Sequence, residues 1–167
     1  MFQALIAIGS NLPAPGCADS VATCEAALNA LETHDIRIAE RSRWYRTAPV
    51  PASDQPDFVN GVVAVETQLD PVALLAVLHA VESRFARRRS VPNAARTLDL
   101  DLIDVAGVIR EGPDGPVLPH PRMQDRAFVL EPLRDVAPGW RHPKTGQDVA
   151  ELIAALPEGQ GCCPIRS

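Results

Sequence analysis

Apolar and polar positions divide the chain into short stretches of two different periods. Leu5 to Ile8 is an unbroken apolar run ending at the turn cluster Gly9-Ser10-Asn11, which predicts a first strand. From Asp19 or Ser20 onward, Val21, Cys24, Leu28 and Leu31 lie on one helical face. Ile36 and Ile38 alternate with polar residues, and the strand they predict continues through Trp44 and Tyr45. Three prolines between Thr47 and Pro56 then make a loop of restricted shape. Phe58 to Leu69 predicts a long strand rich in valine and threonine. Asp70-Pro71 is a helix start, followed by the apolar stripe Leu74, Leu78, Val81 and Phe85. Thr97 to Ile103 predicts another strand, Arg126 and Phe128 would share one face of any extended segment in the proline-rich stretch that follows, and Val149, Leu152, Ile153 and Leu156 mark a last helix.

The order strand, helix, strand, strand, helix, strand predicts an α+β fold. The expected form is a ferredoxin-like sandwich with helices packed on a mainly antiparallel sheet. A doubly wound parallel sheet would need more strand–helix alternation than this chain offers. No repeat or linker interrupts residues 1–167, so a single domain is expected.

Composition narrows the function. Hydrophobic residues make up 46% and charged residues 22%, an ordinary globular balance. Sixteen basic against 21 acidic side chains leave a net charge of −5, which argues against a nucleic-acid partner. No apolar run approaches the roughly 20 residues that span a bilayer, and the N-terminus lacks a basic lead. The four cysteines, Cys17, Cys24, Cys162 and Cys163, form no metal-ligand spacing and read as reduced thiols. A cytoplasmic monomer without membrane or nucleic-acid partners is the expectation.

Candidate chemistry concentrates in Leu98-Asp99-Leu100-Asp101-Leu102. Side chains alternate along a strand, so three leucines enter the core and two carboxylates share the other face, their Cα atoms about 6.6 Å apart. Hard oxygen ligands on a rigid strand suit Mg²⁺, particularly when substrate phosphates complete its shell. A solvated polar strand face is the alternative for a bare D-x-D. Five of fifteen arginines, however, fall within the thirteen residues from Arg84 to Arg96 and lead straight into this strand. Guanidinium forks and magnesium both suit phosphate oxygens, so the pair reads as a nucleotide-phosphate site. No P-loop or dinucleotide-binding glycine pattern is present. His120, fixed between Pro119 and Pro121 with Arg126 nearby, is equally consistent with a structural role or with a neutral or charged phosphate ligand. Phe58, Phe128 and Asn60 could clamp a planar heterocycle, although core packing explains each phenylalanine by itself.

Five stretches in order carry a family resemblance. They are Ala7 to Leu12, Tyr45 to Pro49, Asp54 to Asn60, Arg96 to Asp101, and Pro119 to Leu130 with its His120, Arg126 and Phe128. Over Leu5 to Trp140 the chain resembles the 6-hydroxymethyl-7,8-dihydropterin pyrophosphokinases of folate biosynthesis. The resemblance implies a ferredoxin-like fold and transfer of diphosphate from ATP to the pterin hydroxymethyl group, releasing AMP. It implies two Mg²⁺ ions on Asp99 and Asp101, with Arg87 and Arg89 joining them as catalytic groups. Thr47, Ala48, Val50, Phe58, Asn60 and Phe128 fall on pterin-site positions. Gln55, Glu82, Arg87, Arg89, Arg96, Leu102, His120 and Arg126 fall on ATP-site positions. Three loop positions depart from the family pattern: Pro51 stands for a usual glycine, Ala94-Ala95 for Gly-Pro, and the arginine loop lacks a common tryptophan. Two other readings are a diverged paralogue that binds pterin or nucleotide without turnover, and a D-x-D phosphohydrolase. The second lacks the additional histidines and acids such enzymes use.

Overall fold

The computed structural model of the chain describes residues 2–48, 54–85 and 97–165. Its elements in chain order are β1 (Phe2–Ser10), α1 (Ser20–Leu31), β2 (Ile36–Arg41), β3 (Tyr45–Thr47), β4 (Phe58–Thr67), α2 (Pro71–Arg84), β5 (Asp99–Val105), α3 (Ala127–Val136), α4 (Val149–Ala154) and β6 (Cys162–Pro164). A 3₁₀ turn, Met123–Asp125, precedes α3. The starts of α1, α2 and α4 are chemically alike. Asp19, Asp70 and Asp148 each accept a backbone N–H from three residues on at 2.8 Å, a cap worth about 1 kcal/mol.

The sheet runs β5-β1-β4-β3-β6, with β2 also paired to β4, and every pairing is antiparallel. Between β1 and β2 the chain crosses β4 through α1, and between β4 and β5 it crosses β1 through α2. These are the two split β-α-β units of a ferredoxin-like core. The strand expected to continue through Tyr45 is divided. β2 pairs with the far half of β4, and β3 with Phe58 to Asn60. The break falls at Ser42–Trp44, where the Ser42 hydroxyl accepts from the Val62 N–H at 2.9 Å. The Trp44 ring lies across Gly61, where a β-carbon would meet ring carbons at 2.6 Å. Only glycine admits the indole there.

Alternation along β1 loads both sheet faces. Ala4, Ile6 and Ile8 join α1, α2, Leu98, Leu100 and Leu102 in one core, whereas Leu5 and Ala7 join Ile103, Leu130, Leu133 and Leu152 in another. The three leucines of the D-x-D strand are buried at 0%, 2% and 4% exposure, as alternation requires. The opposite face is not open along its length, because α3 and α4 cover it. The stretch at Arg126 and Phe128, for which no helix was expected, is the start of α3, so the two do not share a strand face. Proline at position 132 of that helix hides it in the sequence, since Pro132 lacks the amide that would close on the Phe128 carbonyl. Among the described residues no helix is long and apolar enough to cross a membrane. All four cysteines are free thiols.

Candidate active site

Sheet register builds the site. Asp99 lies opposite Gly9, Gly9 opposite Asn60, and Asn60 opposite Tyr45, forming one row across four strands. The next row holds Asp101, Ala7 and Val62. Directly opposed residues point to the same face, so Asp99, Asp101, Asn60, Phe58 and Thr47 all project toward the side that carries α3. With strands about 4.8 Å apart, Asp99 and Asn60 sit roughly 10 Å from each other. The smallest residue of the row stands between them.

That glycine has a steric purpose. A β-carbon on Gly9 would lie 2.7 Å from the Asn60 Oδ1. The amide occupies this space and donates from Nδ2 to the Thr47 Oγ at 2.7 Å. Asn60 and Thr47 are each 6% exposed, so the pair is a buried polar anchor at the floor of the site. Phe58, at the start of β4, and Phe128, in the first turn of α3, are both half-buried. The Arg126 guanidinium stacks over the Phe128 ring at 5.3 Å.

Asn11, read in the sequence as part of a turn and of the family stretch Ala7 to Leu12, holds the loop that leads into β4. Its Nδ2 donates to the Gln55 Oε1 at 3.0 Å and to the Pro56 carbonyl at 3.2 Å. Its signal in the sequence is a polar residue directly after an apolar strand, and the fold buries it to 1% exposure. Glu82, 2% exposed, reaches from α2 to accept the Leu100 N–H at 2.8 Å. Among the described residues β5 is the sheet edge, so this N–H meets no strand there, and Glu82 satisfies it. The Leu102 side chain is buried in the α1–α2 core.

His120 is tied down on two sides. Its N–H donates to the Ile103 carbonyl at 2.9 Å, and its Nδ1 accepts the Arg122 N–H at 3.2 Å. Burial, followed by Arg126, pushes its pKa down to about 4 against the opposing pull of Asp99. Of the two forms open from sequence, the neutral imidazole is the one present at neutral pH. With Nδ1 accepting, its proton is on Nε2, which can donate to an anionic oxygen.

Asp99 and Asp101 are half-buried, on one face of one strand, with Gly9 and Ala7 opposite them. Among the described residues no third histidine, cysteine or acid joins them as a metal cage. Two carboxylate donors without a cage fit a hard cation that takes its remaining oxygens from a substrate. Ala48 follows β3 and is exposed. Val50, Arg87, Arg89 and Arg96, together with Pro51, Ala94 and Ala95, lie outside the described residues.

Comparison with known proteins decides the family. Residues 5–138 match the model of 7,8-dihydro-6-hydroxymethylpterin-pyrophosphokinase. The chain belongs to this family. It is an ATP-dependent pyrophosphokinase, a transferase of folate biosynthesis. It is 42% identical over 153 residues to the 2-amino-4-hydroxy-6-hydroxymethyldihydropteridine pyrophosphokinase of Pseudomonas aeruginosa, covering 91% of this chain and 90% of that protein. It is 35% identical to the Haemophilus influenzae protein of the same name, covering 92% of each. The pyrophosphokinase fold also matches a crystal structure of Plasmodium falciparum HPPK-DHPS with a TM-score of 0.69 at 14% identity. That likeness covers 92% of this chain and 43% of the longer one.

Proposed function

We propose that the aspartate row and the Asn60–Thr47 anchor divide the site between the two substrates. The pterin ring lies between Phe58 and Phe128, with Asn60 and the backbone around Thr47, Ala48 and Val50 reading its edge. ATP lies toward β5, with Gln55, Glu82 and the Leu102 backbone on its nucleotide side. Arg87, Arg89, Arg96, His120 and Arg126 face its phosphates. The row Asp99–Gly9–Asn60 is the observation that carries this reading, because it sets the acidic pair beside the ring anchor on one face.

In this reading the hydroxymethyl oxygen attacks the β-phosphorus of ATP, the bond from that phosphorus to the α–β bridging oxygen breaks, and AMP departs. The alcohol proton passes to solvent water as the new P–O bond forms. The protein supplies position and charge rather than a covalent intermediate. Neutral His120 donates from Nε2, and the arginines balance negative charge that builds as the bond breaks. Asp99 and Asp101 would hold Mg²⁺, two ions by the family pattern, which supplies phosphate-charge neutralisation when bound. A cytoplasmic location accords with four free thiols, and small-molecule rather than nucleic-acid substrates accord with a net charge of −5.

The test is incubation with ATP, Mg²⁺ and 6-hydroxymethyl-7,8-dihydropterin, following AMP. Stoichiometric AMP and pterin diphosphate are expected. Pterin binding without AMP would make the chain a binder, and ATP loss without pterin would make it a hydrolase.

A further inference from the structure

We infer that Gln160, in the C-terminal segment, is a positioning residue for the pterin site, acting through the first turn of α3. The inference rests on the assignment of Phe128 to that site. Arg126 precedes α3 and offers no side-chain cap to the helix. The first N–H groups of a helix have no partner within it, so α3 begins with an unmet donor at Ala127. Gln160 meets it from 33 residues away, its Oε1 accepting the Ala127 N–H at 2.9 Å. The other end of the same amide donates from Nε2 to the Asp125 carbonyl at 2.8 Å. The two bonds straddle Arg126 and fix the backbone from which Phe128 projects.

The segment that carries Gln160 is itself fastened to the opposite wall. Two residues on, Cys162 pairs with Thr47 and Cys163 with Arg46, as β6 extends the sheet beyond β3. The Ile165 N–H donates to the Trp44 carbonyl at 2.8 Å, and the Cys162 Sγ lies 3.8 Å from the Ala127 carbonyl. One short stretch is therefore bonded both to the strand that carries Thr47 and to the helix start that carries Phe128. At the far end of α3, Asp135 accepts from the Tyr45 hydroxyl at 2.9 Å, which fixes the distal end of the helix to the same edge. Tyr45 sets where the helix lies. Gln160 sets where its first turn, and so the aromatic wall, stands relative to Thr47.

The experiment is a double-mutant cycle of Gln160→Ala and Phe128→Ala, read as separate KM values for pterin and ATP with kcat at saturation. Gln160→Ala should raise the pterin KM about threefold to tenfold, the loss of one to two hydrogen bonds, with the ATP KM within about twofold. In the Phe128→Ala background the same substitution should change the pterin KM little, because its effect runs through the missing ring. Gln160→Glu keeps the acceptor for Ala127, sets a carboxylate against the Asp125 carbonyl, and should fall between the two. Equal increases in both KM values, an unchanged pterin KM, or full additivity in the cycle would each overturn the inference. If Phe128→Ala alone leaves the pterin KM unchanged, the ring's place in the site is wrong, and the role of Gln160 falls with it.

Discussion

Gly9 and Asn60 are opposed across β1 and β4, and a β-carbon on the first would stand 2.7 Å from the amide oxygen of the second. No real contact is that short, so Gly9→Ala forces the Asn60 amide aside and breaks its bond to Thr47. The expected result is a pterin KM raised roughly tenfold, with stability lower by about 1 kcal/mol. Steady-state kinetics and thermal melts check this. A normal pterin KM in Gly9→Ala would remove Asn60 from the ring anchor.

Asp101→Ala should lower kcat at least about 100-fold, the scale on which loss of one preorganised charge-stabilising group is felt. The side chain faces the site rather than the core, so the melting temperature should shift by only a few degrees. Near-normal turnover at saturating ATP and Mg²⁺ would take the acidic pair out of the reaction. A large drop in melting temperature would mean that the carboxylate serves the fold.

Glu82 holds the one Leu100 N–H that β1 cannot reach. Glu82→Ala should cost about 2 kcal/mol, the price of a buried donor left without an acceptor. Glu82→Gln keeps an acceptor and should cost less. Chemical denaturation of the three proteins separates these outcomes, and an Ala variant as stable as the parent would show that water replaces the carboxylate.

Tyr45 is the chain's single tyrosine, so tyrosinate absorbance reports it alone. Burial, followed by the bond to Asp135, pushes its pKa up to about 12. The folded state holds this proton more tightly than the unfolded chain, whose tyrosine ionises near 10. Its contribution to stability is therefore complete below pH 10 and is lost as pH rises from 10 towards 12. Asp135→Asn should move the absorbance midpoint down while leaving it above 10, because burial is the larger cause. A midpoint at 10 in the parent protein would mean that the hydroxyl is solvated and that the Asp135 tie is not made.

The sequence by itself determined which residues face together in β5 and in the first two helices. A period of two put Asp99 and Asp101 on one side of β5 and its leucines on the other, and a 3.6-residue period marked α1 and α2. Those are consequences of backbone geometry over a few residues, and they do not depend on the rest of the chain. The order of elements also followed, and with it the ferredoxin-like class. Tertiary structure alone decided that Gly9 stands between Asp99 and Asn60, because register is set by packing between strands some fifty residues apart in the chain. It made a helix of Ala127 to Val136, where Pro132 obscured the pattern and the missing cap comes from Gln160. It also chose the neutral form of His120, since burial, the largest cause, comes from the elements folded around it and outweighs the opposing pull of Asp99 on β5. Local periodicity reaches only as far as one element, and desolvation and register belong to the neighbours that folding brings.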